Sequence, residues 1–179
     1  MTTSTPNLVV TPSAHPLSDG ERAARMVNPA FGRIFTDHMV VIPYRDGKWQ
    51  QGELKAYGPL MLDPSASSLH YGQAIFEGYK AFAQPDGSIK TFRPEQNAER
   101  FNRSAARLAM PAIPVELFLE AGDALIAQDR NWVPKNTGES LYMRPLMIAT
   151  DPYLGVRPSE EYLFVLFASP AGAYFPKGV

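Results

Sequence analysis

The order in which strands and helices arrive constrains this chain more than any single motif. Two apolar runs close it, residues 140–149 and 162–168, and the second, YLFVLFA, has the length of a buried strand. Two consecutive helical stretches precede them, and two hairpin patterns precede the helices. Strands that come in hairpins, then as a pair after a pair of helices, favour an α+β fold over a doubly wound one. The expectation is a two-layer α-β domain with a largely antiparallel sheet and two main helices.

The individual segments fill in that outline. Residues 1–26 are rich in Thr, Ser and Pro, with Asp19-Gly20 as a turn signal, and read as a mobile arm ending in a short helix around residues 20–26. The arm is assigned residues 1–30 and the folded domain 31–170. Residues 33–44 and 49–57 form a hairpin about Asp46-Gly47. The serine-rich stretch before His70 can cap a helix over 70–77, stopped by Gly78. Residues 80–83 and 88–92 flank Gln84-Pro85-Asp86-Gly87, a second hairpin. Pro94 opens a helix at its first position, where a missing N–H costs nothing. Ala98, Phe101, Ala105 and Leu108 then form a core-facing stripe. A second helix covers about 114–131. Residues 171–179, rich in Pro and Gly, read as the start of an interdomain linker.

Composition excludes several chemistries. Lys and Arg number 17 against 18 Asp and Glu, so the formal charge of −1 gives no general attraction to nucleic acid or an anionic membrane. No run approaches the roughly 20 apolar residues of a membrane span, and residues 1–10 lack a basic secretory n-region. A soluble, cytoplasmic protein is the expectation. Without cysteine there is no thiolate nucleophile and no Cys-based metal site. His15, His38 and His70 are too scattered for a metal-ligand motif, so no metal is expected. Thr36-Asp37-His38 invites a triad reading, but neighbours on a strand face opposite ways. Glu77 reads as a surface or helix-pair charge.

Two basic constellations remain. The helix opened by Pro94 carries Arg100, Arg103 and Arg107, which by periodicity alone read as a solvated basic face. Arg103 and Arg107 lie opposite the apolar stripe, whereas Arg100 sits on its flank, placed to turn toward a cleft. Its planar fork suits phosphate oxygens, although spacing does not identify the partner. Tyr142 and Arg144 are two apart on a strand and share a face, with Leu141 and Met143 on the other. An arginine among apolar strand residues needs water, a carboxylate or another acceptor. An exposed edge strand, which Pro145 allows, is the plainer reading. Phe31, Tyr71 and Phe76, taken singly, read as core.

Three segments tie these residues together: HYGQAIFEGYKAF at 70–82, FRPEQNAERF at 92–101 and SLYMRP at 140–145. With FGRIFTDHM at 31–39 and GAYF at 172–175, they resemble the small N-terminal domain of a branched-chain amino acid aminotransferase, a fold-type IV pyridoxal phosphate enzyme. The resemblance runs from about Phe31 to Gly178. It implies that Arg100 binds the phosphate of pyridoxal 5'-phosphate and that Tyr142 and Arg144 line the substrate pocket, the arginine receiving a carboxylate. It also implies that Phe31, Tyr71 and Phe76 wall a pocket for aliphatic side chains. Tyr71, Leu154 and Val156 would enter the neighbouring subunit's site in a homodimer, and Tyr174 would help close the pocket. Small amino acids and 2-oxo acids are the implied partners.

The resemblance also implies what this stretch lacks. The family's Schiff-base lysine lies beyond Val179, in a second domain, so no catalytic residue is assigned here and the chain alone is expected to be inactive. The expected activity of the whole enzyme is transfer of the amino group of leucine, isoleucine or valine to 2-oxoglutarate. The alternative is a short non-catalytic binding or dimerisation module reusing the same domain. A stand-alone module should end in a satisfied element, whereas residues 174–179 read as a linker cut short.

Overall fold

The computed structural model describes residues 8–27, 29 and 31–172. The chain runs β1 (Val9–Thr11), α1 (Asp19–Arg25), β2 (His38–Arg45), β3 (Lys48–Trp49), β4 (Glu53–Ala56), α2 (Ser67–Tyr71), β5 (Ala74–Phe76) and β6 (Tyr79–Ala83). It continues through β7 (Ile89–Thr91), α3 (Pro94–Arg107), α4 (Val115–Gln128), β8 (Ser140–Ala149) and β9 (Tyr162–Ala171). One sheet has the order β1-β4-β2-β9-β8-β6-β7, with β3 on β2 and β5 on β8. Every pairing is antiparallel except β1 with β4. The expected α+β class and mostly antiparallel sheet are what the chain adopts.

β8 and β9 pair over ten residues, from Ser140 opposite Ala171 to Ala149 opposite Tyr162, and form the spine of the sheet. Alternation on β8 sends Leu141, Met143 and Met147 into the main core with α3 and α4. Phe101 of α3 and Phe118 of α4 meet there, their rings 5.8 Å apart, and both touch Phe164 of β9. The opposite face is partly covered too. Met39, Val41 and Val165 are buried there beneath Leu60, Leu163 and Phe167. A strand buried on both sides reads as a continuous apolar run, which is why 162–168 shows so little alternation.

Close helix–sheet contact depends on Gly122 in α4. A Cβ there would stand 2.2 Å from the Tyr79 hydroxyl oxygen. Tyr79 is buried, and burial pushes its hydroxyl pKa far above the ordinary tyrosine value, with the Asp123 carboxylate adding to the shift.

Three local expectations change. Residues 70–77 are not one helix: α2 ends at Tyr71, Gly72 takes the left-handed conformation (φ +65°), and Ala74–Phe76 pair with β8. The β-branched and aromatic Ile75-Phe76 find an open edge on β8, and tertiary pairing overrides local helical signal. Leu108 leaves the stripe because α3 ends at Arg107, which leaves Leu108 as an exposed cap. The N-terminal stretch, read as an arm, contributes β1 on the edge of β4. Its helix α1 begins with a reciprocal capping box between Ser18 and Glu21.

Candidate functional site

β5 and β6 are one strand interrupted at Glu77–Gly78. Phe76 stands opposite Leu146 and Tyr79 opposite Met143, so the register carries straight through. That places Glu77 opposite Pro145 and Gly78 opposite Arg144. Glu77 N–H donates to Pro145 O at 2.9 Å, but Pro145 has no N–H to return, and the ladder lapses there. Alternation then sends Glu77 to the helix side with Ile75 and Tyr79. Phe76 goes to the open side with Tyr142 and Arg144.

On the helix side, Glu77 is 7% exposed and meets Arg100 of α3. Arg100 Nε and Nη2 each donate to a Glu77 carboxylate oxygen at 2.6 Å, a fork-to-fork pair. Gly78 N–H also donates to Glu77 Oε1 at 2.8 Å, and Asn97 Nδ2 donates to Gly78 O at 3.2 Å. Burial opposes ionisation of Glu77, yet the bonds from Arg100, Gly78 and Asn97 outweigh it and hold the carboxyl below its ordinary range. The bonds to Glu77 in turn raise the pKa of Arg100. The Arg100 side chain remains 60% exposed. It lines a shallow cavity of about 200 Å³ with Phe92, Arg93, Gln96 and Asn97, where α3 starts without a side-chain cap.

On the open side, Phe31 meets Tyr142 edge-on at 4.9 Å. The Arg144 guanidinium carbon lies 4.6 Å from the Phe76 ring centre and 5.3 Å from that of Tyr142. Arg144 Nη2 donates to the Tyr142 hydroxyl at 3.1 Å, while its buried Nε has no partner among the described residues. Gly78 leaves room for Tyr142 here, because a Cβ would lie 1.9 Å from the Tyr142 oxygen and force the ring to shift. Phe31 and Phe76 are nevertheless 62% and 64% exposed. The chain thus presents a cation flanked by two aromatic rings, Phe76 and Tyr142, with Phe31 packed against the second.

A second group stands apart. The Tyr71 hydroxyl donates to Leu154 O at 2.5 Å, and Tyr71 and Val156 line a cavity of about 380 Å³ with Gly72, Gln73 and Leu108. Tyr71, Leu154 and Val156 are all exposed.

No family model matches the chain. A probable branched-chain-amino-acid aminotransferase of Streptomyces coelicolor is 61% identical over 98% of this chain and 49% of its own length. The Mycolicibacterium smegmatis branched-chain-amino-acid aminotransferase is 54% identical over 95% of this chain and 47% of its own. Over nearly its whole length the chain is similar to branched-chain aminotransferases. It spans about half the length of the curated relatives it matches. A solved T.th. branched-chain aminotransferase, with pyridoxamine 5'-phosphate, superposes with a TM-score of 0.55 at 26% identity, covering 76% of this chain and 41% of that one.

The site residues named from sequence can be followed here, and they fall into three places. Phe31, Phe76, Tyr142 and Arg144 meet on the open face, and Arg100 lies across the sheet edge from them. Tyr71, Leu154 and Val156 form the separate group, and Tyr174 lies outside the described residues. Sequence reasoning missed the position of Glu77, which is neither a surface nor a helix-pair charge. It also missed how the Thr36-Asp37-His38 segment is used. Asp37 accepts from Leu17 N–H at 3.1 Å and from Trp132 Nε1–H at 2.7 Å. His38 pairs through Nδ1 with buried Asp129 at 2.6 Å, and its Nε2 accepts from Ser13 N–H at 2.9 Å. Burial raises the pKa of Asp129 despite its bonds from Thr36 and His38. These bonds pin the N-terminal stretch to the end of α4, with a backbone N–H of Ser13 on the histidine's Nε2.

Among the described residues, no helix is long and apolar enough to cross a membrane, and no group of three or more acidic or histidine side chains is placed to hold a metal.

Proposed function

We propose that this chain forms the small domain of a pyridoxal 5'-phosphate-dependent branched-chain transaminase, which moves the amino group of leucine, isoleucine or valine to 2-oxoglutarate. The observation that carries the reading is Arg144, a guanidinium whose buried Nε has no partner among the described residues, set between Phe76 and Tyr142, with Phe31 against Tyr142. Aliphatic substrates offer few hydrogen bonds, so aromatic walls are their natural receptor, and the Arg144 guanidinium answers a carboxylate.

The cofactor's phosphate has a fitting place where α3 begins. No side chain caps that end, and Arg93 and Arg100 both border the cavity. The solved T.th. relative, which carries pyridoxamine 5'-phosphate, supports the choice of cofactor. When bound, pyridoxal phosphate supplies the electron sink that lets the substrate α-carbon release its proton. This chain's residues bind and orient: Arg100 through its Nη1/Nη2 edge, Arg144 toward a carboxylate, and the aromatic walls by excluding water. The cofactor-bearing lysine belongs, in this reading, to the half of the relatives that this chain does not span. The chain alone should therefore not turn over. Tyr71, Leu154 and Val156, exposed and apart from Arg144, suit a homodimer in which each copy completes the other's pocket, with Tyr174 closing it. A cytoplasmic location goes with this chemistry and with a chain that has no cysteine.

Arg144→Met in the full-length protein tests the assignment. Only glutamate and 2-oxoglutarate bring a second carboxylate to the side-chain pocket, and Met preserves its volume. The glutamate half-reaction should fall at least roughly tenfold, about 1.4 kcal/mol, while the leucine half-reaction survives. Equal losses in single-turnover measurements would place Arg144 at the shared α-carboxylate, and no loss in either would remove it from the site.

A further inference from the structure

We infer that Glu77 is the positioning residue of the phosphate site, holding Arg100 side-on so that its end-on Nη1/Nη2 edge faces the cofactor. The inference rests on the reading of Arg100 as a phosphate ligand. Two observations carry it. Both Arg100 contacts, from Nε and Nη2, are 2.6 Å, so the guanidinium plane is fixed as well as its distance. The partners are also unequal in burial: Glu77 is 7% exposed, whereas the Arg100 side chain is 60% exposed. A half-exposed arginine loses much rotamer freedom when it must hold one pose for a ligand. Anchored to a buried carboxylate, it gives up that freedom on folding and not on binding, which is preorganisation.

The backbone supports the same assignment. Glu77 sits where Pro145 interrupts the ladder, and its Oε1 takes Gly78 N–H, which fixes the carboxylate in turn. Asn97, one helical turn before Arg100, donates to Gly78 O and ties α3 to the same two residues. The phosphate side and the aromatic side of the proposed pocket therefore share one dipeptide, Glu77–Gly78.

Charge arithmetic and positioning predict opposite signs. Glu77 places a negative charge beside a site for an anion, so on charge alone its removal should tighten phosphate binding. Positioning predicts that removal weakens it. The test is the pyridoxal phosphate dissociation constant of full-length apo-protein, by spectroscopic titration, with inorganic phosphate as competitor. Glu77→Ala should raise it roughly tenfold, and Glu77→Gln, which keeps one acceptor, roughly threefold. Inorganic phosphate should weaken in parallel, and in an Arg100→Ala background Glu77→Ala should add nothing. Unchanged or tighter binding overturns the inference, as does an equal loss in both backgrounds. If Glu77→Ala does not fold, Glu77→Gln, of the same shape, decides by the same sign. Arg100→Ala itself leaving affinity unchanged, like the solvent-facing control Arg103→Ala, would instead sink the phosphate reading beneath it.

Discussion

Gly122→Ala should change sign with its neighbour. In α4 the substitution gains about 1 kcal/mol of helix propensity. It also drives a methyl to 2.2 Å from the Tyr79 hydroxyl oxygen, far inside van der Waals contact. Tyr79 is buried on β6, its ring 5.9 Å from that of Phe118, and has little room to retreat. Overpacking of this kind costs about 1–3 kcal/mol. The net effect in the wild type is a loss of about 1 kcal/mol. The next atom the methyl meets is the ring carbon Cζ at 3.5 Å, an ordinary contact. Removing only the hydroxyl therefore removes the whole conflict.

In a Tyr79→Phe background, Gly122→Ala should stabilise by about 0.5–1 kcal/mol, the helix term alone. The coupling between the two positions is then about 1–3 kcal/mol. Urea denaturation followed by the fluorescence of Trp132, which is 1% exposed, measures all four corners of the cycle. Equal effects of Gly122→Ala in both backgrounds would show that the hydroxyl is not the obstacle, and the reasoning from close approach would fail.

Two further outcomes follow from the same geometry. Gly78→Ala should move Tyr142 off Arg144, because its Cβ would stand 1.9 Å from the Tyr142 oxygen; substrate KM should rise in the full-length enzyme, and an unchanged KM would count against the shared pocket. The Glu77 carboxyl, held below its ordinary pKa of about 4.3, adds stability that is fully present above that value and is lost as pH falls through its lower folded pKa. Glu77→Gln should thus flatten the acid limb of the stability profile, and a limb identical to wild type would contradict the ion pair.

Legibility in the sequence tracked how local the deciding interaction is. β8 and β9 were readable because an apolar run needs no knowledge of its partner, and α3 because Pro94 and the Ala98–Phe101–Ala105 stripe mark its start and buried face. β1 was not, since Val9 and Val10 remain exposed and become a strand only by pairing with β4, more than 40 residues on. The shared face of Tyr142 and Arg144 followed from strand alternation alone. What that face gathers, Phe31 from a distant loop and Phe76 from another strand, did not.

Glu77 shows how one misread element hides a residue. As the end of a helix over 70–77, it is a surface charge and asks for nothing. As part of an interrupted strand on β8, it falls in phase with Ile75 and Tyr79 and must enter the interface with the helices. A carboxylate buried there is costly unless a cation meets it. Of the three arginines on α3, Arg103 and Arg107 project opposite the apolar stripe, and Arg100 lies on its flank. The strand assignment therefore selects the ion pair. The pair in turn explains how an exposed arginine is held in one orientation beside the start of α3.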